Sequence, residues 1–210
     1  MKIDQEAVWS GRYAGAGEDY LFGTAPNKFL AAQKHRLRPD WTALAVADGE
    51  GRNSVFLAEE GLAVTAVEIS PVGLHKARRL AASRHVAVDF VLADVLSWQA
   101  PAPFDLVVAI FVQFVGPTER ELLFGRIKAA VKPGGLLLLQ GYTPQQIEYR
   151  TGGPSAVENL YTAELLRAAF NDWEILELRE HEDVLDEGAG HKGRSALIDL
   201  VARRSGGPKA

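Results

Sequence analysis

The stretch that most constrains this chain is a sharp change of pattern at residues 43–58. Ala43 to Ala47 form an apolar run that reads as a buried strand. Gly49 and Gly51 break it within Asp48-Gly49-Glu50-Gly51-Arg52-Asn53, and Ser54-Val55-Phe56-Leu57-Ala58 begins a helical pattern. A strand, a glycine-rich turn and a helix start, in that order, build an anion- and nucleotide-binding device. The glycines allow the tight turn and leave room where a Cβ would intrude, and the helix N-terminus offers free N–H donors.

The same alternation continues downstream. Ala63 to Val67 is the second strand, with Glu68 at its C-terminal edge, and Ser70-Pro71 opens a helix towards Ser83. Val86 to Leu92 is the third strand, with Asp94 just beyond it, and Phe104 to Phe111 is the fourth. Thr118-Glu119-Arg120-Glu121 has the pattern of a capping box, followed by Leu123, Ile127, Ala130 and Val131 on one helical face. Lys132-Pro133-Gly134-Gly135 stops that helix and Leu136 to Leu139 is the fifth strand. Trp173 to Leu185 and Ser195 to Ala202, joined by a short loop, read as an antiparallel hairpin. Continuously apolar strands alternating with helices predict an α/β fold: a doubly wound, Rossmann-like, mostly parallel seven-stranded sheet, with helices on both faces and the antiparallel hairpin at its C-terminal end.

The 210 residues predict one domain over 1–210. Within it, residues 1–41 form a cover, 42–203 the core and 204–210 a frayed tail. The cover interleaves Trp9, Tyr13, Tyr20, Phe22 and Phe29 with Gly11, Gly15, Gly17 and Gly23, and Pro26 starts a helix towards Leu37. Its aromatic side chains suit packing onto a ligand or onto one end of the sheet.

Composition narrows the function. A net charge of −4 without a basic stripe argues against a nucleic-acid partner. With no cysteine there is no disulfide framework, thiolate metal site or cysteine nucleophile. The hairpin residues His181, Glu182, Asp183, Asp186 and His191 lack the directed spacing of a metal site, so no metal is expected. No apolar run approaches ~18 residues, so no membrane span is expected, and without a signal peptide the expected location is cytoplasmic.

Ligands of open α/β sheets bind at the C-terminal ends of the strands, and the glycine turn, Glu68 and Asp94 all fall there, one strand apart. In the dinucleotide register the third glycine would fall at Ser54; the other register is Ala47-x-Gly49-x-Gly51. On these residues, with Phe104-Asp105-Leu106-Val107-Val108, Lys132-Pro133-Gly134-Gly135 and the terminal hairpin, the chain resembles the class I S-adenosylmethionine-dependent methyltransferases over nearly its whole length. It looks closest to the small tellurite-resistance type, through Trp9-Ser10-Gly11-Arg12-Tyr13, Pro26-Asn27-Lys28-Phe29-Leu30, Gly51-Arg52-Asn53-Ser54 and Ile110-Phe111-Val112-Gln113-Phe114. Thr151-Gly152-Gly153-Pro154 and Asp186-Glu187-Gly188 with His191 resemble less characterised relatives of that type. It departs from the family at Ala45, where an acid is usual, at Ala47, where glycine is usual, and at Gln113, where histidine is frequent.

The resemblance implies S-adenosylmethionine as cofactor. Its site would take in Ala47, Asp48, Gly49, Gly51, Arg52 and Asn53 at the turn, Glu68 on the ribose, Ile69 on the purine, and Asp94 with Val95 at adenine. Ala109 and Phe111 would border the sulfonium, and Arg12, Tyr13 and Asn27 would close from the cover. A small-molecule methyl acceptor would meet Tyr20, Phe22, Gln113, Phe114 and His191. No catalytic acid or base is assigned, because methyl transfer from a sulfonium mainly requires proximity, alignment and a dry site. Two other readings remain: a non-catalytic S-adenosylmethionine-binding module, and a nicotinamide-dependent oxidoreductase, which lacks its third glycine here.

Overall fold

The computed structural model describes residues 4–206 and divides into two compact units: one runs to Trp98 and includes Glu187–Gly190, the other comprises Gln99–Asp186 and the residues from His191 onward. Seven strands form a mixed sheet, with a parallel core and an antiparallel C-terminal part, as the sequence predicts.

The first unit contains α1 (Gln5–Gly15), α2 (Lys28–Ala32) with a 3-10 turn at Gln33–Arg36, β1 (Thr42–Val46), α3 (Arg52–Glu59), β2 (Ala63–Glu68), α4 (Pro71–Ser83) and β3 (Asp89–Leu92). β1 and β3 flank β2, both parallel to it, with Val46 opposite Val67 and Glu68 opposite Leu92. Ser70 caps α4 by accepting from the Gly73 N–H at 3.1 Å, and Pro71 fills the first helical position, where a missing N–H costs nothing. Leu74, Ala77, Leu80 and Ala81 form the buried stripe of α4. Leu80 and Ala81 pack with Val55, and Tyr20, Val86 and Phe90 close around them.

The second unit contains β4 (Phe104–Ile110), α5 (Pro117–Ala130), β5 (Val131–Tyr142), α6 (Gln146–Tyr149), a 3-10 turn at Val157–Asn159, α7 (Ala163–Ala169), β6 (Glu174–Asp186) and β7 (Lys192–Arg203). β4 pairs parallel with β5, β5 antiparallel with β7, and β7 antiparallel with β6. Leu137, Leu138 and Leu139 of β5 and Ile198, Leu200 and Val201 of β7 are buried, as expected of central strands.

The structure corrects several boundaries. An 11-residue helix, α1, occupies part of the expected cover, capped by Asp4, whose side chain accepts from the Ala7 N–H. Glycines at 11 and 15 mask its helical pattern in the sequence. α2 starts after Asn27, whose side chain accepts from the Leu30 N–H, and not at Pro26. β3 is three residues shorter than predicted: His85 takes a left-handed conformation (φ 57°), and the Val86 N–H is tied back to the Ala81 carbonyl at the end of α4. The capping box at Thr118 is not made, because α5 begins two residues earlier, at Pro117 behind Gly116, which puts Thr118 inside the helix. β5 is longer than predicted at both ends. Of the expected frayed tail, Arg204 donates its N–H to the Gly135 carbonyl and Ser205 Oγ donates to the Asp172 carbonyl, while 207–210 lie outside the described residues.

Candidate active site

The turn after β1 holds three successive left-handed positions at alternate residues, Ala47 (φ 48°), Gly49 (φ 67°) and Gly51 (φ 93°). The room left by the two glycines is filled by protein. A Cβ at Gly51 would lie 2.7 Å from the Ala77 Cβ, so this glycine lets the start of α3 rest on α4. A Cβ at Gly49 would lie 2.8 Å from the Tyr13 hydroxyl, and one at Gly73 would lie 3.0 Å from the same ring. Tyr13 therefore lies against both glycines.

Two buried carboxylates flank this turn. Asp48 accepts from the Ser54 N–H at 3.2 Å and, closely, from Ser54 Oγ, which stabilises the first turn of α3. Burial pushes its carboxyl up to about 6, against the pull of the Ser54 hydrogen bonds. Glu68, 3% exposed, accepts from the Gly49 N–H through Oε2 and from the Ser70 N–H through Oε1, both at 2.9 Å. Burial pushes it up to about 7, opposed by these amide donors and reinforced by the neighbouring Asp48 charge. At the edge of β3, Asp94 Oδ1 accepts from the Leu96 N–H at 2.9 Å; Val95 is buried and Ile69 half-buried.

The cover is held by polar groups as well as by rings. Tyr13 stacks on Trp9 with centroids 5.8 Å apart and meets Phe22 edge-on at 6.4 Å, and the Arg12 guanidinium lies 4.5 Å over Trp9. Burial, then the Glu68 charge, raises the Tyr13 hydroxyl well above its ordinary range. Lys76, buried in α4, donates to the Tyr13 carbonyl (2.7 Å) and the Asp19 carbonyl (2.6 Å) and pairs with Glu50 at 3.0 Å. Asn27 is fully buried, and its N–H donates to Asn53 Oδ1 at 3.0 Å. Arg52 pairs with Glu187 at 2.8 Å. Sequence reasoning picked out Arg52, Asn53 and Asn27 but missed Lys76, Glu50 and Glu187. The only available signal for Glu187 was its place in Asp186-Glu187-Gly188.

Tyr20 is turned towards α4: its hydroxyl donates to the Lys76 carbonyl at 3.2 Å and its ring lies 5.4 Å from the Arg79 guanidinium carbon. Phe22 is half-buried within the cover.

In the second unit Ala109 is fully buried and Phe111, at φ 56°, stacks on Tyr142 with centroids 4.6 Å apart. His191 meets the edge of Phe111 at 4.3 Å, and Phe114 is half-buried nearby in the chain. Gln113 clamps backbone: Nε2 donates to the Tyr142 carbonyl (2.9 Å) and the Asn159 carbonyl (3.2 Å), and Oε1 accepts from the Tyr142 N–H (2.6 Å). Gln113 thus holds the end of β5 against residues 157–161.

Residues 43–135 match the family described as a methyltransferase domain. The likeness to the class I S-adenosylmethionine-dependent methyltransferases read from the sequence is borne out. Among curated proteins, the release factor glutamine methyltransferase of Koribacter versatilis (strain Ellin345) is 32% identical over 145 residues, 63% of this chain. The chain spans about half the length of that relative, 51%. Among solved structures, TehB from Haemophilus influenzae superposes with a TM-score of 0.72 at 18% identity, over 95% of this chain and 67% of TehB. The N-methyltransferase NodS from Bradyrhizobium japonicum WM9, solved with S-adenosyl-l-homocysteine, does so with a TM-score of 0.68 at 12% identity, over 99% and 100% of the two chains. These two structures show that the chain shares their fold.

Proposed function

We propose that this protein transfers the methyl group of S-adenosylmethionine to a small-molecule acceptor. The observation that carries the proposal is Glu68: a buried carboxylate at the end of β2, held in place by the amides of Gly49 and Ser70. Two amide donors leave lone pairs on both oxygens, and a ribose diol supplies the O–H donors that would complete them. The residues therefore fit the cofactor of the family. When bound, S-adenosylmethionine supplies a methyl group already activated on a sulfonium. The first unit's part is to bind and orient it: Glu68 at the ribose, and Asp94 and the Val95 N–H at adenine with Ile69 against the purine. The cover, through Tyr13, excludes water.

The acceptor reading rests on charge and on Gln113. The protein is acidic and has no basic groove in its sequence, which favours a small acceptor over a nucleic acid. Gln113 offers no proton-accepting base, and its amide is engaged with backbone, which favours an acceptor that is already nucleophilic, such as a thiolate or reduced chalcogen.

Calorimetry with S-adenosylhomocysteine and NAD tests the cofactor. S-adenosylhomocysteine should bind and NAD should not, and Glu68→Ala should weaken binding by about 1–3 kcal/mol through loss of a charge-assisted hydrogen-bond pair. Unchanged affinity in that variant removes Glu68 from the site. Radiolabelled methyl transfer across thiols, chalcogen oxyanions, small amines and a release-factor substrate then tests the acceptor; transfer to the protein substrate alone overturns the small-molecule assignment.

A further inference from the structure

We infer that Glu187, at the turn between β6 and β7, is a positioning residue that fastens residues 21–28 and Arg52 in one arrangement beside the glycine turn, and that cofactor affinity depends on it. The cofactor part rests on the methyltransferase reading above; the fastening part does not.

Two independent sets of contacts, all within the first unit, point there. The first is charge. Glu187 is buried, and its Oε1 accepts from the Lys28 N–H at 2.9 Å and from Asn27 Nδ2 at 3.2 Å. Its Oε2 pairs with Arg52 Nη1 at 2.8 Å, and the same Arg52 nitrogen donates to the Phe22 carbonyl at 3.3 Å. One carboxylate thus joins the start of α2, the first residue of α3 and the cover. The second set is backbone approach. The Gly190 N–H donates to the Leu21 carbonyl at 2.9 Å. A Cβ at Gly188, which sits at φ 74°, would lie 2.5 Å from the Gly23 nitrogen, and a Cβ at Gly190 would collide with the Phe22 ring.

These contacts lead to the turn in a few steps. Glu187 holds Arg52 and, through it, the Phe22 carbonyl; Phe22 meets Tyr13 edge-on; Tyr13 lies against Gly49, whose N–H is bound by Glu68. A buried ion pair is a weak source of stability, since an apolar pair of similar volume serves as well, but it has strict geometry. At a hairpin turn, where nothing demands a buried charge, that geometry is what the pair supplies.

Glu187→Gln keeps the size and one acceptor oxygen but removes the charge facing Arg52. Gly188→Ala disturbs the backbone approach without touching any charge. In the full chain, Glu187→Gln should raise the Kd for S-adenosylhomocysteine by roughly tenfold, because it leaves the buried Arg52 charge unpaired, and Gly188→Ala should raise it too, by displacing residues 21–23. They should raise KM for S-adenosylmethionine far more than they lower kcat. Amide hydrogen exchange should accelerate over residues 21–30 while β1 and β2 keep wild-type protection. If either single variant fails to fold, the double variant Arg52→Met/Glu187→Leu, which leaves no unpaired charge, should fold and still bind weakly. Wild-type affinity in the folded variants, or exchange accelerated equally in β1 and β2, overturns the inference. A wild-type protein that binds no S-adenosylhomocysteine overturns the methyltransferase reading and the cofactor half of this one, and the exchange pattern over 21–30 then decides the fastening half by itself.

Discussion

Ala47 holds a φ of 48°, in the left-handed region where a Cβ crowds the following carbonyl. Ala47 lies between β1 and Asp48, which accepts from the Ser54 N–H, in a turn whose next two alternate positions are glycines at positive φ. Ala47→Gly should therefore stabilise the protein by about 1 kcal/mol. In a chain of this size that is a rise of roughly 2–4 °C in Tm, measurable by calorimetry. A Tm that falls would mean the backbone at 47 relaxes without glycine. Gly49 gives the opposite case. Gly49→Val meets Tyr13 directly and is strained at φ 67°, so it should cost about 2 kcal/mol or more of stability as well as abolishing S-adenosylhomocysteine binding. From the sequence the added bulk points into ligand space; in the structure it displaces the aromatic residue that covers the turn. A variant with wild-type Tm and affinity would remove Tyr13 from the cover.

At the scale of elements, Gln113 shows a side chain working as part of a strand end. Its amide closes hydrogen bonds with both the N–H and the carbonyl of Tyr142, the last residue of β5, and also reaches Asn159. Gly141 is glycine for the same reason: a Cβ there would lie 2.8 Å from Gln113 Oε1 and from the Tyr161 ring. Gln113→Leu keeps the volume but removes the amide's hydrogen bonds to Tyr142 and Asn159, so it should destabilise the protein by about 1–3 kcal/mol. Denaturant unfolding checks this, and a cost below about 0.5 kcal/mol would mean the clamp is replaced by water. The strands and α4 were legible because their signals are local: continuous apolar runs, and Ser70-Pro71 at a helix start. α1 was not, because its glycines imitate a loop and its stability comes from tertiary contacts, namely Tyr13 in the turn and Lys76 on the Tyr13 carbonyl.

For the whole molecule, the buried carboxylates set the response to pH. Glu68 titrates near 7 in the fold against an ordinary value of 4.5, and Asp48 near 6 against 3.8. A carboxyl whose folded pKa is raised favours folding while both states are protonated, below the unfolded value, and that advantage is lost as pH rises through the folded value. The ligand-free protein should thus lose on the order of 3 kcal/mol from Glu68 between about pH 4.5 and pH 7. The check is the change in stability from pH 5 to pH 8 in wild type compared with Glu68→Gln, which should lack that loss; equal changes would show that Glu68 titrates normally. Cofactor binding should run the other way. The ribose hydroxyls favour the ionised carboxylate, so affinity at pH 6 should be about tenfold weaker than at pH 8, read by calorimetry at the two values.

Local pattern carried the seven strands in order, the helices between β1 and β5, the parallel sheet with its antiparallel end, and the three strand-end features at Gly49–Gly51, Glu68 and Asp94. All of these follow from residue periodicity and short-range spacing, which act within a few residues. The tertiary structure alone decided what fills the space at Gly49, which role Gln113 takes, and which carboxylate holds Asn27. Asn27 and Glu187 are 160 residues apart, and each polar group had to be buried before it needed the other. Local pattern carries no record of such a pairing, because the cost of an unsatisfied buried charge arises only when the chain has closed around it.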